Sequence, residues 1–239
     1  MERNTVLITG ANSGIGLAAV KLFLMKGFFV FAHYNNSSHN LKQLDHDNIL
    51  MIQGDLFYPE KAEAIIDRCV DTKGKLGVLI NNAGTFSISK NIEDVRQEDF
   101  DYVMNVNLRA PFLLSQFAMK HMRRNKFGRI INISSIGVKY GGSPNSATYT
   151  ISKAALETMT ISFAKAGAPH NVLVNALRVG VTDTDFHKRN PKKKLNSRTD
   201  LVPLKRLAEP GEIANTIFFL ASEESSFITG SVITVAGGE

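Results

Sequence analysis

Tyr149 and Lys153, in YTISKAALETM, are four residues apart, and in a helix that spacing puts both side chains on one face. A free phenol titrates at about pH 10, too high to trade protons easily at neutral pH. An ammonium within reach favours the phenolate and lowers that value, which makes the tyrosine a usable general acid or base. Such pairs also decorate ordinary helix surfaces, so the pair needs a second feature beside it. TGANSGIG, where Gly10, Asn12, Ser13, Gly14, Ile15 and Gly16 follow an apolar run and open a helical one, is a candidate. Glycines between a strand and a helix let backbone N–H groups approach a phosphate, and the helix N-terminus favours negative charge. The spacing is G-x-x-x-G-x-G rather than G-x-G-x-x-G, so a helix entry that merely needs small residues is the competing reading.

The elements that would position these residues follow from periodicity. Strand-like runs rich in Val and Ile lie at 5–9, 28–33, 48–53, 76–80, 128–134, 171–177 and 231–236, and helical segments at 15–26, 60–72, 99–125, 148–166 and 210–221. Buried strands alternating with helices predict an α/β fold: a single doubly wound, Rossmann-type parallel sheet of about seven strands, helices on both faces. Pro210 suits the first turn of the last helix, and Pro111 predicts a kink or break within 99–125. No repeat or linker interrupts the chain, so residues 1–239 are expected to form one domain. The second strand ends in HYNNSS, with no acid to hold a free ribose 2′-hydroxyl, so Tyr34, Asn35, Asn36 and Ser37 favour NADP over NAD. No Lys or Arg is there to clamp a 2′-phosphate, and the same residues suit a simple turn.

Composition narrows the class. At 239 residues, 44% hydrophobic and 21% charged, the chain has ordinary globular content. Cys69 is the single cysteine, which excludes an internal disulfide and a cysteine metal cluster; an inert buried thiol is expected, and no metal site. No targeting segment or run of about 18 apolar residues is visible, so a cytoplasmic protein without a membrane span is expected. The net charge of +6 is local. Residues 178–206 carry nine Lys/Arg against three Asp, while the remainder holds 19 of each sign.

The chain resembles the short-chain dehydrogenase/reductase family along essentially its whole length, and 3-oxoacyl-[acyl-carrier-protein] reductases within it. The resemblance rests on TGANSGIG, Asp55 in QGDLF, NNAG at 81–84, Asn107 in NVNL, INISS at 131–135, Tyr149-x-x-x-Lys153 and ITGSVITVAGG. It implies an NAD(P)(H)-dependent oxidoreductase that moves a hydride between nicotinamide and a carbonyl or secondary alcohol. In that scheme Tyr149 exchanges the proton, and Lys153 lowers its pKa and holds the nicotinamide ribose. Ser135 hydrogen-bonds the substrate oxygen, while Asn107 holds a helix kink and a proton-relaying water. Ser134 remains an alternative hydroxyl, and Asn107 an alternative capping amide. Asp55 and Leu56 would contact adenine, Asn82, Ala83 and Gly84 would underlie the ribose, and Val181 and Thr184 would touch the carboxamide. The family's Pro-Gly is Val179-Gly180 here, and the Ser135–Tyr149 loop is one residue longer than in many relatives.

By the same resemblance the segment at about 185–207 is a substrate lid, and here it is basic, with Lys188, Arg189, Lys192, Lys193, Lys194 and Arg198. Lys120, Arg123, Arg124, Lys126 and Arg129 are candidates to extend that basic rim. A 3-oxoacyl thioester on a phosphopantetheine arm suits such a rim. A sugar, nucleotide-sugar or other small alcohol is the alternative, and a small neutral carbonyl needs no basic rim at all. A non-catalytic, cofactor-sensing or nucleic-acid-binding module is a further alternative. Phe186 is the segment's sole stacking residue and no reading helix accompanies it, which argues against nucleic acid. The segments 99–125 and 148–166 resemble the family's subunit-packing helices, so a homodimer or homotetramer is expected.

Overall fold

The chain's apolar runs become strands of one parallel sheet, and the central ones are buried from end to end. The computed structural model describes residues 4–184 and 199–239. Its strands are β1 (Thr5–Ile8), β2 (Phe29–Tyr34), β3 (Ile49–Gln53), β4 (Val78–Asn81), β5 (Gly128–Ser135), β6 (Val172–Val179) and β7 (Val232–Val235). The helices are α1 (Gly14–Met25), α2 (His39–Lys42), α3 (Glu60–Lys73), α4 (Gln97–Met104), α5 (Ala110–Arg124), α6 (Ala147–Gly167) and α7 (Pro210–Ala221). The sheet order is β3-β2-β1-β4-β5-β6-β7, with every pairing parallel. The chain winds outward from β1 to β3 and then returns to β4 on the other side. That reversal leaves a crevice above the carboxyl ends of β1 and β4, where ligands of such sheets bind.

Two apolar layers clamp the sheet. On one face Val20 and Phe23 of α1 pack with Ile213 and Ile217 of α7. The Phe23 ring meets Phe28 and Phe218 edge-on at 4.9 and 5.2 Å. On the other face lie Ile66 of α3, Leu114 of α5 and Ala164 of α6. Cys69 is buried in this second layer, and desolvation pushes its thiol well above the ordinary range, so it packs as an inert hydrophobe.

All seven expected strands are present, with ends within two residues of those read from the sequence. The expected helix at 99–125 is different. It is α4, a five-residue π-helical turn (Asn105–Arg109) and then α5. The break therefore precedes Pro111, which sits in the first turn of α5 where its missing N–H costs little. The short α2 was not expected from the sequence; its first N–H groups, from Asn40 and Leu41, donate to Asn12 Oδ1 at 3.1 and 3.2 Å.

A buried polar ladder ties α5 and α6 to the centre of the sheet. Asn81 Nδ2 donates to Ser115 Oγ (3.1 Å) and Asn132 Oδ1 (2.8 Å), and Asn132 Nδ2 donates to Thr160 Oγ1 (2.8 Å). Polar groups taken out of water need such partners, so the ladder fixes the position of α6 more sharply than apolar packing would. Asn132→Leu removes an acceptor from Asn81 and a donor from Thr160, and is expected to lower unfolding free energy by about 1–3 kcal/mol in urea denaturation.

Candidate active site

The crevice at the switch point is a cleft of about 750 Å³ running from the end of β3 to beyond the end of β7. Its floor is set by a stitch between the turns that follow β1 and β4. Thr9 Oγ1 accepts from the N–H groups of Asn82 and Ala83, both at 3.0 Å, and Asn82 Nδ2 donates to Thr9 O (2.8 Å) and Gly10 O (3.1 Å). Gly10 has φ +64°, and a Cβ there would lie 2.9 Å from the Ala83 backbone. A Cβ on Gly16 would collide with the Gly10 carbonyl. Small residues are thus required by close approach, not only by helix entry.

Gly10, Asn12, Ser13, Gly14 and Ile15 line the cleft, while Gly16 stands behind them. Helix α1 starts here with no acid in its first turn and no side-chain cap from Ser13. Its first-turn N–H groups and dipole are therefore available to an anion, the fit a dinucleotide pyrophosphate requires. Tyr34, Asn35, Asn36 and Ser37 line the same end, with Asp55 and Leu56 beside them. Ser37 Oγ accepts from His39 N (3.3 Å), and Asn12 Nδ2 approaches it at 3.5 Å. Asn82, Ala83 and Gly84 form the middle of the floor, and Val181 and Thr184 the opposite wall. A Cβ on Gly14 would lie 2.9 Å from Thr184 Cγ2, so this wall closes directly over the glycine turn. Without the family's proline, the 181–183 strip is held by Ala208: Ala208 N donates to Val181 O (3.0 Å) and Asp183 N to Ala208 O (2.9 Å).

One residue here was not singled out from the sequence. His33, buried in β2, accepts from Gly10 N at Nδ1 (3.4 Å) and donates from Nε2 to Gly54 O (2.9 Å). It ties the glycine turn to the end of β3, just before Asp55. Burial lowers its pKa to about 4, so the ring is neutral at physiological pH. A histidine inside the apolar run FFVFAHY was the available signal.

Tyr149, Lys153 and Ser135 converge at the other half of the cleft. Tyr149 and Lys153 share a face of α6, and Ser135 ends β5. The phenol shares a hydrogen bond with the Ser135 hydroxyl, whose oxygen also accepts from Gly137 N (3.2 Å). Lys153 Nζ donates to Ile133 O at 2.8 Å and lies 5.8 Å from the Tyr149 ring centroid. Burial pulls Lys153 from an ordinary 10.5 down to about 8. The expected lowering of the Tyr149 pKa is not what this geometry gives. Desolvation by burial raises it and outweighs the Ser135 hydrogen bond, which lowers it. At neutral pH the phenol is therefore protonated.

The neighbouring residues separate into different duties. Ser134 Oγ donates to Glu157 Oε1 (2.7 Å), and Glu157 is paired with Arg178 through two hydrogen bonds of 3.0 and 2.6 Å. Ser134 is thus committed to a structural clamp, whereas Ser135 bonds the phenol. Asn107 lies in the π turn behind the cleft wall, fully buried. Its amide donates to Thr85 O (2.8 Å) and Ser152 Oγ (3.0 Å) and accepts from Thr85 N (2.8 Å). Gly84 separates it from Lys153: a Cβ there would lie 3.5 Å from Lys153 Nζ and 3.6 Å from Asn107 Oδ1.

The basic rim requires correction. Helix α5 runs away from the cleft toward the start of β5, so Arg123, Arg124 and Lys126 lie toward the amino ends of the strands, opposite the end that carries Ser135, and Lys120 lies one turn before them. Arg129, on β5 itself, is buried and pairs with Glu223 at 3.4 Å. Within 178–206, Arg178 is bound to Glu157, Arg206 to Glu212, and Lys205 Nζ to Asp200 O. Lys188, Arg189, Lys192, Lys193, Lys194 and Arg198, with most of the expected lid, lie outside the described residues.

The chain is similar to known proteins along nearly its whole length. A family model described as enoyl-(acyl carrier protein) reductase matches residues 10–239. An uncharacterized oxidoreductase of Thermotoga maritima is 37% identical, covering 99% of this chain and 97% of its own. A 3-oxoacyl-[acyl-carrier-protein] reductase of Rickettsia felis is 38% identical over 98% of this chain and 95% of its own. Another of that name, from Mycobacterium bovis, is 32% identical over 98% and 92%.

The Lys153 shift has a consequence for stability. Its folded pKa lies below its unfolded one, so the unfolded chain binds the extra proton between pH 8 and 10.5, and stability rises across that window. Below pH 8 the full penalty applies. Lys153→Met is expected to stabilise the protein at pH 7 by about 1–3 kcal/mol, the advantage fading toward pH 10.5. Urea unfolding at both ends of the window checks this.

Proposed function

This chain belongs to the short-chain dehydrogenase/reductase family and is an NAD(P)-dependent oxidoreductase of CH–OH/C=O groups, and we propose that it reduces the ketone of a 3-oxoacyl thioester with NADPH. The observation that carries the reading is the convergence of the Tyr149 and Ser135 hydroxyls over a buried lysine. Two hydroxyls that meet at one point suit a carbonyl oxygen that becomes an alcohol oxygen. Bound nicotinamide supplies the hydride. Tyr149 gives its proton to the substrate oxygen, and Ser135 holds that oxygen in place. Lys153 keeps positive charge beneath the phenol as the proton leaves, and Asn107 braces the wall through Thr85 and Ser152.

The cofactor would lie along the glycine turn, Asp55–Leu56, Asn82–Gly84 and the Val181–Thr184 strip. Preference for NADPH is supported by the neutral, hydrogen-bonding end of β2, whose residues Tyr34–Ser37 include no acid to hold a free ribose 2′-hydroxyl. We read the whole chain as one domain, working in a cytoplasmic setting that suits its inert thiol. No helix among the described residues is long and apolar enough to cross a membrane.

A second copy of the chain is the proposed partner of the α5–α6 face. Phe112, Ile151 and Ile161 are exposed there, beside a hollow of about 550 Å³ lined by Met104, Leu108, Phe112, Met159 and Phe163. Light scattering is expected to give a dimer or tetramer, and Phe112→Asp to shift it toward monomer.

Two kinetic outcomes follow. Tyr149→Phe is expected to lower kcat for reduction of acetoacetyl-coenzyme A by about 10²–10⁴-fold while leaving NADPH binding within a few-fold. Wild-type enzyme is expected to show a lower KM for NADPH than for NADH. Full activity in Tyr149→Phe would remove the proposed proton donor.

A further inference from the structure

His33, next to last in β2, is a buried ionisable side chain that the proposed reaction does not use. Segments that follow the two neighbouring strands meet on it. From beyond β1, Gly10 N donates to its Nδ1 (3.4 Å) and Ala11 N to its backbone carbonyl (2.8 Å). From beyond β3, Gly54 O accepts from its Nε2 (2.9 Å), and Gly54 N donates to the carbonyl of Tyr34 (3.0 Å). These partners admit one form of the ring. An N–H can only donate and a carbonyl can only accept, so Nδ1 is bare and Nε2 carries the hydrogen. Burial favours the neutral ring that this tautomer requires. The fit is close as well: a Cβ on Gly54 would lie 3.6 Å from His33 Nε2 and 3.4 Å from Ile65 Cδ1.

Gly10 and Asp55, the residue after Gly54, both line the cleft, as does His33 between them. Resting on the cofactor placement proposed above, we propose that His33 is a positioning residue for the adenosine half of the dinucleotide, a crosspiece that sets the distance from the glycine turn to the adenine contact at Asp55–Leu56. In the dinucleotide a single ribose joins the phosphates to the adenine, so the two subsites must stand at a matching separation. A cleft that presents them at that separation before binding loses little of the ligand's interaction energy to arranging them. Without the ring, Gly10 N–H and Gly54 O lose their partners, and both segments can shift toward water. Binding must then select the arrangement that the ring imposes, and the apparent dissociation constant rises as the population of that arrangement falls.

Titration calorimetry with ADP-ribose and its 2′-phosphate, which carry the phosphates and adenine but no nicotinamide, tests this. His33→Leu removes both side-chain bonds, His33→Asn keeps an acceptor near the Nδ1 position, and His33→Gln keeps a donor near the Nε2 position. The dissociation constant of the tighter ligand is expected to rise about tenfold or more in His33→Leu, and by less in the other two. KM for NADPH is expected to rise by a similar factor, with a smaller fall in kcat. A role in the fold alone lowers the folded fraction, and so kcat, without weakening binding by the folded molecules. A constant within about twofold of wild type in folded His33→Leu would therefore overturn the proposal. If His33→Leu does not fold, the other two variants decide: weaker binding in either supports the proposal, and wild-type binding in both overturns it. If wild type itself binds neither ligand, the cofactor placement fails and the His33 assignment with it. Equal binding by wild type and variants overturns the His33 assignment alone.

Discussion

Lys153 holds an ammonium out of water, and the chemistry of the site depends on how the fold makes that tolerable. Its hydrogen bond to Ile133 O anchors α6 to β5 within two residues of Ser135. An ionised amine in such surroundings is costly, and the downward shift to about 8 records that cost. The same desolvation raises Tyr149, so the pair rests as a neutral phenol beside a reluctant cation. The polar groups around it hold this arrangement in place. The Asn81–Asn132–Thr160 ladder sets the height of α6, and the Ser134–Glu157–Arg178 clamp ties it to β6.

Cofactor recognition depends on a different constraint, the reversal of strand order between β1 and β4. Backbone must approach backbone there, and Thr9, Asn82, Gly10 and Gly16 are shaped to that approach. His33 extends the stitch to the end of β3, joining the glycine turn to Gly54. The wall opposite is fixed by Ala208 pairing with Val181 and Asp183.

Much of this was legible in the sequence, for identifiable reasons. Strands buried on both faces leave continuous Val/Ile runs, so β1, β4, β5 and β6 were plain. The placement of the glycine turn, Tyr149 and Lys153 in one cleft was legible because it depends on local spacing. What depends on distant contacts was not. The break at Asn105–Arg109 falls where the family resemblance had Asn107 hold a kink, but its π-helical form, with Asn107 bonded to Thr85 22 residues away, has no local signal. The basic residues of α5 looked like part of a rim only because sequence does not show which end of a helix faces the cleft. The sign of the Tyr149 shift was misread because proximity to an ammonium was weighed without the burial that accompanies it.

The central claim is that a buried, charged Lys153 supports proton donation from a neutral Tyr149. The pH dependence of kcat/KM for ketone reduction tests it most directly, since that profile reports the ionisations the reaction requires. The profile should be level through neutrality and fall above about pH 8, as Lys153 loses its proton. A rate that stays level to pH 10 or beyond would contradict the account.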